Sequence, residues 1–81
     1  MDYEIVFKYA TTVKLKTETG EIALLVRPGT TVEEYDWKNG PNEQGMVQVS
    51  FNIPLGDNNI LFSGLVQDSL LYGGYTTAFP G

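Results

Sequence analysis

From Val47 to Leu55 apolar and other residues alternate without a break: Val47, Val49, Phe51, Ile53 and Leu55 against Gln48, Ser50, Asn52 and Pro54. Successive side chains of a strand point to opposite faces, so this period of two predicts a strand with one core face. On its second face Gln48, Ser50 and Asn52 are short and uncharged, suited to water or to a partner. Tyr3, Ile5, Phe7 and Tyr9 alternate in the same way, and Val13 and Leu15 do so against Lys14 and Lys16. Residues 2–17 therefore read as one long bent strand or as two. Glu18-Thr19-Gly20-Glu21 then predicts a hairpin turn, because glycine tolerates the positive φ of tight turns. The continuous apolar run Ile22–Val26 predicts a strand covered on both faces, ended by Arg27-Pro28-Gly29.

Residues 30–37 carry two patterns. Thr31-Val32-Glu33-Glu34 has the form of a helix capping box, yet Thr31, Glu33, Tyr35 and Trp37 also alternate with Val32, Glu34 and Asp36. Asn39-Gly40-Pro41 would stop a helix within two or three turns of its start. A strand or irregular segment is the favoured reading. Lys38–Gly45 is polar, with glycine and proline and no apolar anchor, which predicts an exposed, mobile loop. Gly56-Asp57-Asn58-Asn59 predicts a turn into a strand at Ile60-Leu61-Phe62. Leu65–Tyr72 fits a two-turn helix or a last strand, with the strand favoured.

The run Val26-Arg27-Pro28-Gly29-Thr30-Thr31-Val32-Glu33-Glu34, coming after a hairpin, resembles the turn into the helix of ubiquitin-like β-grasp folds. The resemblance covers residues 26–34 and implies an alternative α+β fold with one short helix near 31–38. It carries no function with it. Tyr72-Gly73-Gly74-Tyr75 departs from that family's pattern, because the chain runs past the di-glycine that would end a modifier.

Composition narrows the possible chemistry. Eighty-one residues make one domain, here 1–81, and a hydrophobic fraction of 42% supports a thin core. The sequence contains no histidine and no cysteine, so the commonest general base, the commonest strong nucleophile and ordinary zinc ligands are all missing. Small domains without disulfide or metal staples often gain stability from a partner subunit. Five basic against ten acidic residues give a net charge of −5, which argues against a phosphate-backbone partner. Met1-Asp2-Tyr3-Glu4 lacks the basic-then-apolar pattern of a signal peptide. No apolar stretch approaches the ~20 residues of a membrane helix. The expectation is a soluble chain, cytoplasmic or in a virion.

Few constellations carry chemistry. Glu33, Glu34, Asp36 and Glu43 flank Trp37, and paired carboxylates beside an aromatic ring can serve sugar hydrolysis. A solvated acidic loop explains them more simply. Asp57, Asn58 and Asn59 offer oxygen ligands without the spacing of a calcium loop. The glycines match no phosphate-binding motif. Tyr3, Tyr9, Tyr35, Trp37, Tyr72 and Tyr75 are residues favoured at interfaces as well as in cores. Stacking of bases on these rings would lack the basic groove that accompanies such platforms.

These readings converge on an all-β domain, a small antiparallel sandwich or partly open barrel of six to seven short strands. They predict a non-catalytic structural or assembly protein that binds protein subunits, as a homo-oligomer or in a larger assembly. A viral or phage capsid-decorating component suits the composition. The alternative is a small acidic inhibitor that blocks a basic site on a host protein or captures a small ligand. Catalytic, cofactor-binding and metal-ligating residues are not expected, nor is a nucleic-acid or membrane partner. The candidate partner-binding residues are Tyr35, Trp37, Glu43, Tyr75 and Phe79, the last in an uncharged, β-prone segment.

Overall fold

The computed structural model describes residues 4–75. The elements are β1 (Ile5–Phe7), β2 (Thr11–Thr17), β3 (Gly20–Val26), β4 (Thr31–Val32), β5 (Glu34–Tyr35), β6 (Met46–Leu55), β7 (Asn58–Gln67) and β8 (Leu71–Tyr72), with a 3-10 turn at Asp68–Leu70. The chain is all-β and wholly antiparallel, in three small sheets: β4-β1-β8, β2-β3 and β5-β6-β7. Among the described residues the strands do not close into a barrel.

Local chemistry explains the connections. β6 and β7, ten residues each, form a hairpin closed by Gly56-Asp57, with Leu55 opposite Asn58 and Gly56 at φ +61°. Glycine adopts that left-handed conformation without steric cost. Glu18-Thr19 closes β2 onto β3, where the Thr17 hydroxyl donates to the Gly20 carbonyl at 2.8 Å. Residues 2–17 are not one strand, because β1 ends at Phe7 and β2 begins at Thr11.

The helical alternative near 31–38 is overturned, and with it the β-grasp fold. The Thr31 hydroxyl reaches the Glu4 carboxylate at 3.1 Å instead of capping a helix. The Glu33 amide donates to the Ser50 carbonyl at 2.8 Å. Backbone pairing on two sides out-competes a short cap: Val32 lies opposite Ile5, and Tyr35 opposite Val49. The segment bends at Glu33 and so belongs to two sheets in succession. That break, together with a separate β8 after the 3-10 turn, makes eight strands among the described residues instead of six or seven.

The core draws on all three sheets. Phe7 meets Phe51 edge-on at 4.9 Å, and Phe51 meets Phe62 at 5.0 Å. Val47, Val49, Phe51 and Ile53 are buried as their alternation predicts, and Leu71, Val13 and Val26 join them. Leu55, the fifth member of that face, is 49% exposed because it borders the turn. The expectation that β3 is covered on both faces fails. Only the Val26 and Leu24 side packs on the core, while Leu25 on the other side is 61% exposed. A two-stranded ribbon has one side to offer a core, and among the described residues β3 pairs only with β2.

Candidate functional site

Where β5 leaves the sheet, three aromatic rings gather from distant positions. Tyr35 lies opposite Val49 on the core side of β5. Trp37 follows two residues later, its amide donating to the Tyr35 carbonyl at 2.9 Å. The two rings stand 4.5 Å apart. Tyr75, beyond β8, stacks near Tyr35 at 6.4 Å with planes 16° apart and lies 5.8 Å from Trp37. The Tyr75 hydroxyl donates to the Trp37 carbonyl at 3.3 Å.

Beneath the rings lies a buried carboxylate. Asp68, the first residue of the 3-10 turn, is 2% exposed. The Tyr35 hydroxyl donates a short hydrogen bond to its Oδ1. The Tyr75 amide donates to the Tyr35 hydroxyl oxygen at 2.7 Å and to Asp68 Oδ1 at 3.2 Å. Burial, reinforced by the bond to Asp68, pushes the Tyr35 hydroxyl well above the ordinary phenol range. Tyr35 thus stays protonated, and a hydrogen-bond donor, across physiological pH.

Two glycines make room. A Cβ at Gly74 would sit 2.7 Å from Asp68 Oδ1, and one at Gly40 would sit 3.1 Å from the Tyr75 ring. Gly40 belongs to the 38–45 loop, which departs from the loose, unanchored loop its sequence predicts. Its amide donates to the Asp36 carbonyl, and Asn42 Oδ1 accepts from the amides of both Gln44 and Met46. The Gly45 carbonyl accepts from the Asp68 amide at 2.9 Å, tying the loop to the buried carboxylate.

Three of the candidate residues, Tyr35, Trp37 and Tyr75, therefore form one cluster. Glu43 sits exposed in the neighbouring loop, outside it. Phe79 lies outside the described residues. Sequence reasoning missed Asp68, Gly40 and Gly74. The signal available for Asp68 was the one charged residue in Leu65–Tyr72, and for Gly74 its place beside a second glycine.

The carboxylates beside Trp37 do not assemble. Glu34 accepts from the Ser50 hydroxyl at 2.9 Å on the outer face of the sheet. Asp36 accepts from the Asn39 side chain and amide, which hold its carboxyl below the usual range. Among the described residues no group of three acidic side chains could hold a metal ion. Among them, too, no helix is long and apolar enough to cross a membrane. Comparison with protein-family models, with curated proteins and with solved structures finds no match to this chain.

Proposed function

We propose that the chain is a non-catalytic structural or assembly protein that binds other protein subunits, of the kind that decorates a viral or phage capsid. The observation that carries this reading is the Trp37 surface. Trp37 is 38% exposed, yet Tyr35 and Tyr75 back its ring and Asp68 fixes both from below. A pre-ordered aromatic anchor loses little side-chain freedom on binding, and Trp and Tyr dominate the contacts that carry interface energy. The excess of acidic residues supports a protein partner over a phosphate backbone.

Trp37→Ala tests the reading. The wild-type chain, immobilised and exposed to an extract of its native source, retains partner subunits through a high-salt wash. The variant keeps the wild-type circular dichroism but loses about 2 kcal/mol or more of binding to the recovered partner. Equal binding by both removes Trp37 from the interface. Capture of one basic protein that high salt releases favours the acidic-inhibitor alternative.

A further inference from the structure

We infer that β7 is a self-pairing edge: two copies of this chain join antiparallel through β7, about a two-fold axis at Ser63, into one six-stranded sheet. This names a partner for an assembly protein. It rests on the sheet edge opposite β5, so it and the Trp37 contact can fail separately.

Among the described residues β7 pairs with β6 alone and stands at the edge of its sheet. The direction of its free backbone groups follows from β6. The carbonyls of Gln48 and Ser50 accept from Asp36 and the Glu33 amide, on the side away from β7. In an antiparallel ladder such residues face partners that also turn their amides outward. Those partners are Leu65 and Ser63, and the alternation adds Leu61. A row of donors and acceptors is thus presented along the free edge.

Natural edges are blunted by charge, proline or brevity. Elsewhere this chain follows that rule. Lys14 and Lys16 sit on β2 and Glu21 on β3, while β4, β5 and β8 have two residues each. β7 is ten residues long with no charge and no proline, in a chain of net charge −5. Its outward-facing Leu61 and Leu65 are 60% and 49% exposed.

The sequence of β7 is complementary to itself. Pairing about Ser63 sets Leu61 against the second copy's Leu65 on the outer face. On the inner face it sets bulky Phe62 against Gly64, and Ile60 against Val66. Asn59 meets Gln67, and no like charges are opposed. All the edge-directed residues pair with edge-directed residues, as a hydrogen-bonded register requires. A second copy is therefore the occupant that fits both the chemistry and the register.

The register gives a sharp test. Residues on the axis of a hydrogen-bonded pair have Cα atoms about 5.5 Å apart, within disulfide range. Ser63→Cys cross-links into a covalent dimer under mild oxidation. Leu61→Cys does not, because its counterpart lies four residues along the strand, about 13 Å away. Sedimentation of the untouched chain shows a concentration-dependent dimer, and Leu61→Lys with Leu65→Lys weakens it about tenfold or more. Circular dichroism checks that each variant is folded. If the lysine pair misfolds, the two cysteine variants decide. A wild-type chain that stays monomeric at every concentration overturns the inference. So does equal cross-linking at positions 61 and 63, or a dimer indifferent to the lysines, or one lost only when residues 76–81 are removed.

Discussion

The Tyr35 hydroxyl donates to the Asp68 carboxylate across 33 residues of sequence, and the Tyr75 amide donates to both. This knot joins β5, the 3-10 turn and the segment after β8. It fixes the surface on which Trp37 stands.

Tyr35→Phe removes the donor and leaves Asp68 buried with one partner fewer. Leaving a buried polar group short of such a bond costs about 1–3 kcal/mol, and that loss is expected in urea unfolding at neutral pH. The wild type should also be sensitive to alkali. Folding holds the Tyr35 pKa above its ordinary value of about 10, so its contribution is complete below that pH and is lost as pH rises through the folded value. The phenylalanine variant has no such group, and its stability should fall less steeply above about pH 10. Parallel slopes in the two proteins would refute the assignment.

Gly74→Ala places a methyl group 2.7 Å from Asp68 Oδ1 and 3.3 Å from the Tyr35 hydroxyl. Over-packing of this kind costs about 1–3 kcal/mol. Tryptophan fluorescence should shift as well, since Trp37 rests on the ring that moves. An unchanged melting curve and spectrum would show that the knot relaxes freely.

Phe51 is fully buried and touches Phe7 and Phe62. Phe51→Ala is expected to cost about 3–5 kcal/mol, enough to unfold a marginal domain of this size. Melting within a degree or two of wild type would mean that β6 does not face the core.

The 38–45 loop should respond unevenly. Asn42→Ala deprives the Gln44 and Met46 amides of their acceptor and is expected to cost about 1–2 kcal/mol. Glu43→Ala, one residue on, should fall within about 0.5 kcal/mol of wild type. Replacing Asn42-Glu43-Gln44 together by Gly-Ser-Gly should lower the melting temperature as Asn42→Ala does. Equal effects at 42 and 43 would count against the Asn42 turn.

Much of the fold could be read from one dimension. Alternation in 47–53 gave the core face because a strand's side-chain period is fixed by its backbone. Turn residues in 18–21 and 56–59 located both reversals, although Gly20, Glu21, Asn58 and Asn59 belong to the strands that follow. The readings that failed are those that tertiary pairing decides. Ile22–Val26 looks doubly buried by composition, but nothing in the sequence shows that β2 and β3 form a ribbon of their own. The capping box at Thr31 is locally sound, and it yields because Ser50 offers the Glu33 amide a partner. The aromatic residues of the candidate site were legible by type. Their common anchor was not, since no local pattern couples position 35 to position 68.

β1 is the middle strand of its sheet, with Val6 set between Thr31 and Tyr72. During synthesis its first neighbour is available early, while the second is among the last parts of the described chain to be made. The β6–β7 hairpin needs only its own residues and closes a short loop. The sheet around β1 must wait for a contact that spans nearly the whole described sequence. The hairpin can thus form while the sheet around β1 is still incomplete, and folding finishes when β8 joins it. Until then Phe7, which the finished molecule hides, is open to chaperones.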